Sequence, residues 1–244
     1  MTGKLTGKVA LITGASAGIG YAAARALMGE DARLVLTARR EERLAQLATE
    51  AEAVGTQAIY VLGDAAEEET AVKTVAAAIE RFGRLDILIN NVGVGNYKNI
   101  VDTTAEDYDE MMDTNVRSTF LFTRYAVPHM IAQGSGTILM ISSMAGIYGF
   151  PGEAVYCMTK FAQVGFAQAL DKELRPHGIK VGAICPGGVK TEFARGKGRT
   201  EEGAAASDMR EPEAVAGALL LACTQSPRSR IIELQMRTMG EALA

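Results

Sequence analysis

Apolar positions in this chain fall into two kinds of run. Short blocks at residues 9–12, 34–36, 87–89, 138–141 and 181–184 are apolar almost throughout, with none of the alternation of a half-exposed strand. Longer stretches at 18–28, 41–54, 68–82, 106–131 and 154–174 mix apolar and polar side chains at helical length. The first kind predicts strands buried on both faces, and the second predicts helices. The two kinds alternate along the chain. Buried strands joined through helices need crossover connections, so the pattern predicts an α/β fold: a doubly wound, mostly parallel sheet with helices on both faces. In such sheets ligands bind beyond the carboxyl ends of the strands, where the strand order reverses. The residues that follow each strand are therefore where chemistry is sought.

Composition narrows the possibilities. With 244 residues and 48% hydrophobic content, the chain is long enough for one large domain spanning 1–244. Its net charge of −4 supplies no global positive field, which argues against nucleic acid or a membrane surface as partner. Residues 1–7 carry no apolar signal core, and no run approaches the roughly 18 apolar residues of a membrane span, so a cytoplasmic protein is expected. Cys157, Cys185 and Cys223 lack the short paired spacings of zinc sites or disulfide frameworks and read as small hydrophobes. His129 and His177 are isolated, and no metal-ligand cluster is expected. Most of the methionines read as core filling, although Met140, Met144 and Met158 lie near the expected cleft.

The first strand runs into Thr13-Gly14-Ala15-Ser16-Ala17-Gly18-Ile19-Gly20, followed by a helix. Glycines there let backbone approach a pyrophosphate, and the free N–H groups of the helix start favour its charge; a plain tight turn is the other reading. After the second strand comes Leu36-Thr37-Ala38-Arg39-Arg40, with no acid to hold a ribose 2′-hydroxyl. Arginine suits a 2′-phosphate, which favours NADP(H) over NAD(H). Alternatively, Arg39 and Arg40 merely open the charged helix that begins Glu41-Glu42-Arg43.

Ser143 follows the fourth of these apolar blocks, Tyr156 comes thirteen residues later, and Lys160 another four on. Positions four apart share a helix face, so Tyr156 and Lys160 can act on one ligand. With the glycine turn, Asp64, Asn90-Asn91-Val92-Gly93, Asn115, Pro186-Gly187 and Thr191, this ordered set resembles the short-chain dehydrogenases/reductases over essentially the whole chain. The resemblance implies a seven-stranded Rossmann sheet and hydride transfer between a nicotinamide cofactor and a small-molecule carbonyl or alcohol. Tyr156 would be the general acid/base, its phenol pKa brought toward the working range by the Lys160 ammonium together with the positive oxidised nicotinamide. Ser143 would bond the substrate oxygen, and Asn115 would hold a water linking Lys160 to solvent. For the cofactor, the resemblance implies Gly14, Ser16, Gly18, Ile19 and Gly20 at the phosphates, Asp64 and Ala65 at the adenine, and Asn91 and Gly93 along the channel. Lys160 would also bind the nicotinamide ribose, and Pro186, Gly187, Val189 and Thr191 would surround the nicotinamide. Asp64 can alternatively cap the next helix, and Asn90 reads as structural, bonding neighbouring strands.

Some positions depart from the family pattern. Val92 replaces the usual alanine, Ala65 the usual valine, and Ser16 and Ala17 stand where many NADP-preferring relatives have a basic residue. An NAD(H)-preferring dehydrogenase and a non-catalytic dinucleotide sensor are the alternatives, the second opposed by the intact set of Ser143, Tyr156, Lys160 and Asn115. Substrate choice is expected from a lid at about 191–210 and the loop 145–153. Family members form homotetramers or homodimers through helices corresponding to 106–131 and 154–174. The segment 231–244 lacks a glycine-rich close, which argues against a 3-oxoacyl substrate and a tetramer.

Overall fold

The computed structural model describes residues 3–198 and 209–240. Half of the expected lid, 199–208, and the end of the C-terminal segment, 241–244, lie outside the described residues. The element order is β1 (Val9–Thr13), α1 (Gly18–Met28), β2 (Arg33–Ala38), α2 (Glu41–Ala53), β3 (Ala58–Leu62), α3 (Glu68–Phe82), β4 (Ile87–Asn90), α4 (Ala105–Met111), α5 (Ser118–Gln133), β5 (Gly136–Ile141), α6 (Ala154–Leu174), β6 (Ile179–Pro186), α7 (Pro212–Cys223) and β7 (Glu233–Met236). The sheet order is β3-β2-β1-β4-β5-β6-β7. Every pairing is parallel.

Side chains on successive strand positions enter opposite layers, and both layers are dry. Ile138 and Met140 of β5 pack with α3, α5 and α6, while Leu139 and Ile141 pack with α1, α2 and α7. This is why the central strands read as unbroken apolar runs rather than alternating ones. The two edge strands carry a weaker signal because one side of each is uncovered: β3 is partly exposed and β7 alternates between exposed and half-buried. Neither lies in the apolar blocks that mark the central strands, and α7 is not among the predicted helices.

The reversal of strand order falls between β1 and β4, and the ends of these strands are stitched together. Thr13 Oγ1 accepts from the N–H groups of Asn91 (2.9 Å) and Val92 (3.2 Å), and Asn91 Nδ2 donates to the carbonyl of Thr13 (2.9 Å). At the opposite ends, Asp86 accepts from Lys8, Arg84 and the Val9 N–H. Burial alone would raise the Asp86 carboxyl pKa, but these donors outweigh it and hold it below the usual range.

The stretch expected as one helix over 106–131 is not uniform. Thr104 and Asp107 form a capping box at the start of α4, and a π-helical turn, Met112–Arg117, then separates α4 from α5. Asn115 lies in that turn, and π-turns of this kind recur at functional sites. Among the described residues no helix is long and apolar enough to cross a membrane.

Candidate functional site

A cleft of about 910 Å³ opens along the carboxyl ends of β1, β2, β4, β5 and β6, at the reversal of strand order. Its first wall is the glycine turn. Gly14 and Gly18 adopt positive φ, and a Cβ on Gly18 would lie 2.9 Å from the Thr191 side chain. Helix α1 starts there with no side-chain cap and no acid in its first turn, so its leading N–H groups remain available to an anion. Gly20 serves packing instead, since a Cβ would come within 2.5 Å of Asn91 Nδ2 and the Gly14 carbonyl. It does not line the cleft, whereas Gly14, Ser16, Gly18 and Ile19 do.

The two arginines after β2 are not equivalent. Arg39 is largely exposed and approaches Asp64 only at 3.9 Å. Arg40 pairs with Glu192 at 2.7 Å and donates at 3.3 Å to both the hydroxyl and the carbonyl of Ser16. It thus ties the glycine turn to the segment after β6. Asp64 accepts from the N–H of Ala66 in a local turn, and Glu67 is the residue that precedes α3, so Asp64 does not cap that helix. Asn90 is structural, yet it bonds Thr123 of α5 rather than a neighbouring strand; Asn91 is the residue that joins strands. Asp64, Ala65, Asn91, Gly93, Pro186, Gly187, Val189 and Thr191 all line the cleft.

At the other end stand Ser143, Tyr156 and Lys160. Ser143 begins a single 3₁₀ turn after β5, and its hydroxyl accepts from the Ala145 N–H at 3.1 Å and lies near enough to the Tyr156 phenol to oppose a rise in its pKa. Tyr156 and Lys160 share the buried face of α6, with Nζ 5.7 Å from the ring centroid. The rings of Tyr97 and Phe193 flank Tyr156 at 5.8 and 5.6 Å, and Met144, Phe150 and the half-buried Glu153 line the cleft with them. Met140 is core and Met158 faces outward.

The lysine's part in the expected pKa shift is outweighed by burial. Lys160 does not bring the Tyr156 pKa down: burial raises it well above the ordinary value, Tyr97 and Glu153 add to the rise, and only Ser143 opposes it. Burial also lowers Lys160 to about 7. In a dry site desolvation of each charged form outweighs a cation nearly 6 Å from the ring.

Asn115 lies behind the cleft rather than on it, fully buried. Its side chain bonds both backbone groups of Val94 and the Thr159 hydroxyl, fixing the loop after β4 against α6. Gln163 accepts from Lys160 Nζ and donates to the Asn115 carbonyl, both at 2.9 Å. Sequence reading missed Gln163 and Glu192. A polar residue three positions beyond Lys160 on a buried helix face was the available signal for Gln163; none pointed to Glu192, whose partner is 152 residues away.

The short chain dehydrogenase family matches residues 8–202. An uncharacterized oxidoreductase of Thermotoga maritima is 40% identical over 76% of this chain and 73% of its own length. An A-factor type gamma-butyrolactone 1'-reductase (1S-forming) of Streptomyces virginiae is 42% identical over 78% and 75%. Among solved structures, a metagenomic short-chain oxidoreductase in complex with NADP superposes with a TM-score of 0.84 at 31% identity, covering 98% of this chain and 100% of its own. An alcohol dehydrogenase from Thermococcus sibiricus complexed with 5-hydroxy-NADP gives 0.88 at 28% identity, covering 97% and 99%.

Proposed function

The chain belongs to the short-chain dehydrogenase family, oxidoreductases that act between CH–OH and C=O with a nicotinamide dinucleotide, and on that premise we propose an NADP(H)-dependent carbonyl reductase or alcohol dehydrogenase working through Tyr156. The observation that carries this reading is the convergence of Ser143, Tyr156 and Lys160, with Lys160 Nζ 5.7 Å from the tyrosine ring centroid, at the far end of a cleft that starts at Arg39 and Arg40.

The cleft suits such a cofactor. Positive-φ glycines and an uncapped helix start present N–H donors for a pyrophosphate, and Arg39 has a free face for a 2′-phosphate. Neighbours carrying NADP and 5-hydroxy-NADP support the same choice. Asp64 and Ala65 would meet the adenine, Asn91 and Gly93 the central stretch, and Pro186, Gly187, Val189 and Thr191 the nicotinamide end. When bound, the nicotinamide supplies or accepts the hydride.

The chain's own residues handle the proton. Burial keeps Tyr156 as the neutral phenol, the form a carbonyl oxygen needs as donor during reduction. Ser143 holds that oxygen beside it. As the proton leaves, negative charge develops on the phenol oxygen, and the Lys160 ammonium faces it across 5.7 Å from the ring. Tyr97, Phe150 and Phe193 exclude water and favour a small or medium, largely apolar substrate. Two copies of the chain would pair through α5 and α6, whose outer faces expose Phe120, Met158 and Phe161.

Tyr156→Phe tests the reading. Turnover across a panel of carbonyl compounds, followed by NADPH oxidation, is expected to fall by about 10²–10⁴ while NADPH affinity stays near that of the parent. Retained turnover would remove Tyr156 from the chemistry.

A further inference from the structure

Gln163 is a buried carboxamide that the chemistry above leaves unused. It is 1% exposed, between Lys160 at 3% and Asn115 at 0%, so its hydrogen bonds do not compete with solvent. The surrounding groups decide which way round the amide sits. Its Nε2 donates to the Asn115 carbonyl and to Thr119 Oγ1, each at 2.9 Å, and Thr119 has already turned its own proton to that carbonyl at 2.8 Å. With the donor end committed, the acceptor end faces Lys160, and Oε1 receives an N–H from Nζ at 2.9 Å. A second Nζ proton goes to the Ile141 carbonyl at 2.9 Å. An ammonium has three donors, so one remains. Gly93, whose missing Cβ would stand 3.5 Å from Nζ, leaves space for it on the cleft side.

A carboxylate at this position would hold Lys160 equally well but would cancel its charge. A carboxamide holds it and cancels nothing. Resting on the proposed roles of Tyr156 and Lys160, we infer that Gln163 is a positioning residue for the reaction: it fixes the Lys160 ammonium by hydrogen bonding while leaving the positive charge uncompensated for the Tyr156 phenolate. The titratable groups that face Lys160 are consistent with this. They are Tyr156 on its own helix and Cys185 on β6, whose thiol burial pushes up to about 12 and so keeps neutral; β5 offers the Ile141 carbonyl, and the π-turn offers the neutral Asn115.

The test compares Gln163→Met, which keeps the length but loses the acceptor, with Gln163→Glu, which adds the charge. Length matters because Gln163 also lines a small groove between α5 and α6 that a shorter residue would open. In the full chain labelled with ¹⁵N-lysine and without added dinucleotide, the Lys160 Nζ resonance, identified by its loss in Lys160→Met, is titrated by NMR. The midpoint is expected to fall by about one unit or more in Gln163→Met, as the charged form loses a hydrogen bond, and to rise in Gln163→Glu. In steady-state assays Gln163→Glu is expected to lose about tenfold or more in kcat at nearly unchanged KM, with the pH limb of kcat for alcohol oxidation moved upward. Midpoints that fail to move in opposite directions overturn the inference. So does a full kcat in Gln163→Glu. If Gln163→Met does not fold, Gln163→Glu decides alone, by a raised midpoint together with a lowered kcat. A parent chain that reduces no carbonyl compound would defeat the proposed function, while the NMR titration would still report on Gln163.

Discussion

Adjacent residues of one type can do different work, as Arg39 and Arg40 show. In sequence they are two equal cations after the second strand. In the structure Arg40 is occupied by Glu192 and Ser16, and Arg39 stands open, weakly facing Asp64. Arg39 is therefore the residue we propose for a 2′-phosphate, with Arg40 as a tie across the cleft. Replacing Arg39 with alanine is expected to lower the preference for NADPH over NADH by about 10–100-fold, the worth of a hydrogen bond to a charged group, as measured by titrating each dinucleotide. Arg40→Ala is expected to change that ratio less and to weaken both cofactors together. An unchanged ratio in Arg39→Ala would take it out of the phosphate site. Tyr156 and Lys160 carry the same lesson about burial: charge reasoning from the sequence puts the tyrosine pKa down, whereas desolvation puts it up.

Helix and strand lengths were legible where both faces are covered. The ranges of α1, α3 and α6 agree with the apolar periodicity to the residue, and the blocks at 9–12, 87–89 and 138–141 each lie within a strand. The π-turn was not legible, because an insertion of one residue into a long helical stretch leaves the average periodicity almost untouched. The edge strands β3 and β7 were faint for a different reason, their partial exposure. The glycine turn belongs to this scale too. Its three glycines read alike in sequence, yet Gly18 serves the cleft and Gly20 the seating of α1 on Asn91. Gly20→Ala is expected to destabilise by about 1–3 kcal/mol through overpacking, seen as a lowered Tm. Gly217→Ala, exposed in α7 with open space at its Cβ, is expected to raise stability by about 0.5–1 kcal/mol. A Gly20→Ala protein as stable as the parent would mean that α1 can shift without cost.

At the scale of the molecule, exposed aromatic surface on α5 and α6 is the feature a lone chain leaves unexplained: Phe120 and Phe161 are 48% and 47% exposed. Paired replacement, Phe120→Glu with Phe161→Glu, is expected to shift sedimentation toward the monomer, and an unchanged assembly would place the interface elsewhere. The sequence by itself determined the α/β architecture, because buried parallel strands must be apolar throughout, and it pointed to the proposed catalytic set through the family resemblance that a tyrosine, a lysine four on and a serine after a strand carry together with Asn115 and the cofactor turn. It also marked the cofactor turn, since a strand, glycines and a helix start are contiguous. Only the tertiary structure decided which arginine is free, what holds Lys160, and that Asn115 stands behind the cleft. Those facts depend on partners up to 152 residues apart. They depend as well on the removal of water, which no spacing along the chain records.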